Sequence, residues 1–174
     1  VFVLVLPLTG WAHRLDEYLQ ATLVTIEPTR IKLQINLTPG VDIAEHVLTL
    51  IDRDRNGLVS TNEAALYSGM LSQDIVVRLD QHKLALKLSA ANFPAPTDLR
   101  TGWGIIQMEF SATIDRLAPG RHKLTMKNRH LPSLSVYLFN AARPAPESVQ
   151  ITRQKRNQNQ STGEIEFTIV QDSQ

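Results

Sequence analysis

Apolar and polar residues alternate over most of this chain. In "RIKLQINL" (30–37), Ile31, Leu33, Ile35 and Leu37 fall on one side, and Arg30, Lys32, Gln34 and Asn36 on the other. That period of two marks a half-buried strand. "EYLQATLVTI" (17–26) has the same rhythm, and the short "EPT" between them predicts a hairpin. Five more strands follow in "IVVRLD" (75–80), "KLALKLS" (83–89), "GIIQMEFSATID" (104–115), "HKLTMKN" (122–128) and "SLSVYLFNA" (133–141). Turn chemistry separates them at Gln81-His82-Lys83, "NFPAPTD", "APG" and "HLPS". "SVQITRQKR" and "GEIEFTIV" predict a last hairpin around the polar "NQNQSTG". Nine short strands with polar turns predict a mainly β chain, specifically an antiparallel β-sandwich of immunoglobulin-like type.

The period changes once. After "TPG" (38–40), Ile43, Val47, Leu50 and Ile51 line one stripe of a helix over 41–51. Asp42 and Glu45 sit in its first turn, where negative charge suits the helix dipole. A second helix begins near Ser60 and Thr61, both good N-caps, and runs through "EAALYSGMLSQDI". Residues 41–73 therefore read as a helical insertion after the second strand, within a single domain spanning 13–174.

Between those helices lies "DRDRNGLVSTNE" (52–63). Asp52, Asp54 and Asn56 place oxygen-bearing side chains at alternate residues, Gly57 permits a sharp bend, and Glu63 closes the stretch. Leu58 would add its backbone carbonyl, and Ser60 a hydroxyl or a bound water. Hard oxygens in loose geometry are what calcium selects, with a bidentate carboxylate on the far side. The loop resembles an EF-hand at every ligand position, over about residues 41–73. The resemblance implies calcium as the bound ion, with Val59 pinning the loop to the structure beneath. Arg53 and Arg55 alternate with the acidic ligands and would weaken the local field. The chain holds one such loop, so it must lean on its own domain or on a second copy. A weak, mainly structural site is expected.

"VFVLVLPLTGWA" (1–12) carries no charge and is too short to span a bilayer. It reads as the remnant of a secretory signal, ending in the small-x-small pattern of a cleavage site. Location is expected to be periplasmic or secreted, with no membrane span in the mature chain. Cleavage there would leave His13 at the N-terminus, where amine and imidazole together can hold copper or nickel, helped by His122 or His130. His46 reads as a surface or packing residue of the first helix.

Composition narrows the remaining classes. With 18 basic and 17 acidic residues, no one-sided field for nucleic acid exists. The chain has no cysteine, which excludes disulfides and thiolate chemistry. No G-x-S-x-G elbow and no glycine-rich phosphate loop is present. "KNRHLPSLSVYLFNA" (127–141) reads as a hairpin corner with hydrogen-bonding side chains, and "RQKRNQNQ" as a hairpin tip.

"AHRLDEYLQATL", a strand pair, the EF-hand-like insertion and "NRH…SVYL" together resemble uncharacterised exported bacterial proteins. Some of those are similar to extracytoplasmic portions of nickel-permease accessory proteins. The permeases' membrane helices have no counterpart here, so the resemblance implies a soluble module near metal handling. The sequence thus predicts a calcium-binding interaction module, with a partner protein or a second copy as its other ligand. "GEIEFTIV" is the strand expected to add to a partner's sheet. A copper or nickel binder using His13 is the alternative, and an enzyme with loop-built catalytic groups a third.

Overall fold

A computed structural model describes residues 16–144 and 148–170. The segment read as a signal and His13 lie outside the described residues.

The expected first hairpin forms. β1 (Tyr18–Glu27) and β2 (Arg30–Pro39) pair antiparallel in unbroken register from Tyr18↔Pro39 to Glu27↔Arg30. Their alternation puts Val24, Ile26, Ile31, Leu33, Ile35 and Leu37 inside, none more than 1% exposed. A 3₁₀ turn (Val41–Ile43), α1 (Ala44–Ile51) and α2 (Thr61–Asp74) follow, so the helical insertion lies where the change of period puts it. His46 is on the exposed side of α1.

Next come β3 (Ile75–Leu79), β4 (His82–Lys83), β5 (Lys87–Asn92), α3 (Pro96–Arg100), β6 (Ile106–Thr113), β7 (Gly120–Asn128) and β8 (Ser135–Ala141). The final hairpin is β9 (Val149–Arg156) with β10 (Thr162–Ile169). The strands form two five-stranded sheets, ordered β5-β6-β2-β1-β8 and β4-β3-β7-β10-β9. One hydrophobic core draws residues from both sheets and from α1 and α2. The sheets approach so closely at Gly163 that a Cβ there would lie 2.2 Å from the Phe139 ring. No helix among the described residues is long and apolar enough to cross a membrane.

Four expectations need correction. The stretch 83–89 is not one strand: it ends β4 in one sheet and starts β5 in the other, with Leu84–Leu86 as the passage between them. "NFPAPTD" is more than a turn, because Pro96 opens the short helix α3. The pairing is not wholly antiparallel, since β8 joins β1 in parallel, Tyr18↔Ser135 to Val24↔Ala141. Finally, "GEIEFTIV" offers no free edge, because β10 is hydrogen-bonded to β7 on one side and β9 on the other.

The open edge of β8 is capped by side chains of β9 and of the turn that follows it. Gln160 and Gln154 accept from the Phe139 and Ala141 amides, and Gln154 and Arg156 donate to the Phe139 carbonyl. These amides take the place of a neighbouring strand, which blunts an edge that could otherwise recruit another chain.

Candidate metal centre

The loop begins where α1 stops. Ile51 is the last helical residue, and the Asp52 amide donates to the Leu48 carbonyl. It ends where α2 starts, in a complete capping box. The Ser60 hydroxyl accepts from the Glu63 amide, and the Glu63 carboxylate accepts from the Ser60 amide at 2.9 Å. The expected ligand Glu63 is thus also the N3 residue of the helix cap.

One Oδ of Asp52 accepts from the Asn56 amide at 3.1 Å, and the other from the Gly57 amide at 2.9 Å. Asp54 accepts from the amide and side chain of Asn56, whose Oδ1 accepts from the Leu58 amide. Across the loop, Glu63 Oε1 accepts from the Arg53 amide at 2.7 Å. Arg55 and Gly57 adopt left-handed backbone, φ 58° and 81°. A Cβ at Gly57 would meet nothing within 4 Å, so conformation and not space calls for glycine there.

These bends gather three of the six expected ligands. One carboxylate oxygen from each of Asp52, Asp54 and Glu63 lies within 4.8 Å of the others. Asp52 and Glu63 are buried, at 5% and 6% exposure, while Asp54 is exposed. Each carboxylate oxygen of Asp52 and Asp54 accepts one donor and keeps a lone pair for a cation, whereas Glu63 Oε1 accepts from the Arg53 and Asp54 amides and Oε2 from the Ser60 amide and hydroxyl, so a cation would displace a donor there. Calcium–oxygen bonds of about 2.3–2.6 Å span a shell about 4.6–5.2 Å across, which the triad does not exceed. The triad's spacing and charge suit a hard divalent ion once a donor leaves Glu63. Of the other expected ligands, Asn56 and Ser60 sit within the same hydrogen-bonded loop, while Leu58 is 69% exposed. Val59 is partly buried against the core.

The Glu63 carboxyl is pushed down to about 2, first by the hydrogen bond from the Ser60 hydroxyl and then by the Ser60 amide. It is ionised at any pH near neutrality. On the open flank is a cavity of about 300 Å³ bordered by Glu45, Asp52, Arg55 and Arg100. Arg100 of α3 bonds Glu45 of α1, which ties α3 to the helix entering the loop.

A second polar assembly escaped sequence reasoning. His130, 1% exposed, donates from Nδ1 to the Asp74 carboxylate (2.8 Å) and meets the Tyr67 hydroxyl at Nε2 (3.1 Å), both partners coming from α2. Tyr67 meets Tyr18 hydroxyl to hydroxyl at 2.7 Å. The His130 carbonyl accepts from Gln20, Ser135 and Tyr137, and Asn128 joins Gln20 to the His130 amide. The assembly fixes α2, and with it Glu63, to β1 and β8. The stretch 127–141, expected as a hairpin corner with hydrogen-bonding side chains, contains His130, Asn128 and Tyr137. Their partners Tyr18, Gln20 and Asp74 lie far away in sequence and gave no signal.

The other histidine considered as a chelator, His122, has its ring nitrogens engaged by Asp80 at 2.7 Å and the Ala118 carbonyl at 2.8 Å. It sits near the start of β7, and His130 lies past the end of the same strand. The structure does not bring the two together.

No family model matches the chain, and no curated protein or solved structure does either.

Proposed function

We propose that the chain is an exported calcium-binding module, with the ion held by Asp52, Asp54, Asn56, the Leu58 carbonyl, Ser60 and Glu63. One observation carries this reading. Three like-charged carboxylates converge inside a twelve-residue loop whose amides orient them, in the spacing calcium uses. Against the triad's formal −3, a divalent cation supplies the missing charge. The role is structural. Bound calcium joins the end of α1 to the start of α2, and α2 carries Tyr67 and Asp74 into the core. The two sheets are the layers of a β-sandwich of immunoglobulin-like type, and the helix–loop–helix closes one part of its core.

Isothermal calorimetry on the purified chain tests the reading. A Kd of about 10⁻⁴–10⁻³ M is expected for an extracellular module. Calcium at about ten times Kd then stabilises the fold by about 1.4 kcal/mol. That raises the melting temperature by about 3–6 °C for a chain this size. No heat and no thermal shift at millimolar calcium would refute it.

A further inference from the structure

The outer faces of the two sheets differ in charge. On the second sheet, cross-strand register places Arg78, Thr125, Glu164 and Lys155 in one row and Lys123, Glu166 and Arg153 in the next. Only Thr125 is uncharged. On the first sheet, one row runs Asn92, Gln107, Asn36, Ala21 and Leu138, and the next runs Ala90, Glu109, Gln34, Leu23 and Asn140. Only Glu109 is charged. Depletion of charge at the centre of a face, with charge kept to its margin, is the compositional mark of a protein interface. Here the margin holds the Lys32–Glu27 ion pair.

The same face leaves polar and apolar groups without partners. The side chains of Gln34, Asn36, Gln107 and Glu109 make no hydrogen bond or ion pair with the described residues. Leu23, Val136 and Leu138 lie 36–38% exposed along β1 and β8. Leucines beside neutral amides suit a protein surface better than a hydroxyl-rich ligand, which would leave the leucines wet.

We infer that this face associates with its counterpart on a second copy of the chain. The face is self-complementary. A two-fold axis running across the strands, between the two rows, lays each strand over its own equivalent. Gln107 then faces Glu109 of the second copy, and Glu109 faces its Gln107, so each carboxylate gains an amide donor. Asn36 faces Gln34, two groups that each donate and accept. Ala21 faces Leu23, small against large. Both charged residues in the buried centre are paired, and β1 covers β1. Size agrees as well. The strands average about eight residues, so the face measures about 27 by 24 Å, or roughly 650 Å² per copy. Two such faces bury roughly 1,300 Å², within the range of specific interfaces, about 1,200–2,000 Å². A depression of about 470 Å³ in this face is lined by the same amides and would hold bridging water.

Sedimentation velocity on the full chain, from about 1 to about 200 μM, should show a species of twice 19.5 kDa that grows with concentration. Asn36→Lys with Gln34→Lys gathers four ammonium groups at the axis and should weaken association at least about 100-fold. Thr125→Lys, on the other sheet, should leave it unchanged. Because the chain has no cysteine, Ala21→Cys should crosslink to its counterpart with a short bismaleimide, and Thr125→Cys should not. The crosslink stands even if the double lysine variant misfolds. A monomer throughout the range, a dimer indifferent to the lysines or equally lost with Thr125→Lys, or no crosslink at position 21 would overturn the inference. The result is independent of the calcium reading, since the face lies outside the loop.

Discussion

The acidic loop and the buried assembly around His130 are both hydrogen-bonded polar clusters, and they are built in opposite ways. In the loop, every bond spans ten residues or fewer, and most are backbone amides donating to side chains. Around His130, the bonds to Tyr67, Asp74 and Gln20 span 56–110 residues. The loop can take its shape from its own residues, and a cation is the proposed addition to it. The assembly exists only when β1, β8, α2 and the end of β7 have already met. The loop's polar groups are held by neighbours a few residues away and gather like charge, while the assembly's are satisfied by partners brought from distant elements. Among the described residues no buried side-chain nitrogen or oxygen lacks a partner.

The largest effect should come from cutting the assembly. Gln20→Met keeps the volume but removes the group joining the His130 carbonyl, Ser135 and Asn128. Asn128 then keeps a buried donor with nothing to donate to. Leaving such groups unpaired costs about 1–3 kcal/mol each, and urea unfolding should show a loss of about 2–3 kcal/mol with or without calcium. A loss that vanished on adding calcium would make the assembly an annex of the loop.

A smaller and conditional effect should come from the loop. Glu63→Gln preserves the capping box, since glutamine can serve at N3, but removes a charged ligand. The fold should stay intact without calcium, while the calcium heat and the calcium-dependent rise in melting temperature disappear. A variant that unfolded in the absence of calcium would show that Glu63 matters as a cap first and as a ligand second.

The same contrast explains what could be read from the sequence. Alternation in 17–37 and the spacing of Asp52, Asp54, Gly57 and Glu63 are local signals, and the structure keeps the hairpin and brings the acidic triad together. Partner choice is not local. Nothing in "SLSVYLFNA" says that it lies parallel to β1, and "KLALKLS" alternates as well across a passage between sheets as within one strand. Leu88, in the part of that stretch that joins the first sheet, is 43% exposed. Tyr18 and Gln20 look like the alternate residues of any strand. Their role depends on what α2 and the β7–β8 connection bring opposite them.

The smallest expected effect separates two histidines that the sequence treats alike. His130 is lowered from the ordinary histidine value by burial, which outweighs its hydrogen bond to Asp74. The titratable groups facing it are Asp74, Tyr67 and Tyr137, with Tyr18 one hydroxyl beyond. His122 is raised: burial acts against the charged ring, but the Asp80 carboxylate and the Ala118 carbonyl together outweigh it. With an acceptor at each ring nitrogen, the doubly protonated form is the one that satisfies both contacts. The signs are opposite. For His130 the unfolded chain holds the proton more tightly, so its contribution is complete above about pH 6.5 and fades as the pH falls. For His122 the folded chain holds it more tightly, so its contribution is complete below about pH 6.5 and fades as the pH rises through the folded value. Proton NMR titration of the imidazole Cε1 signals reads both directly, with one midpoint expected below about 6.5 and the other above it. Asp80→Asn should draw the His122 midpoint down and leave that of His130 in place. If both midpoints coincided, the buried ring would be reached by solvent, and the division between a self-satisfied interior and an open acidic loop would not hold.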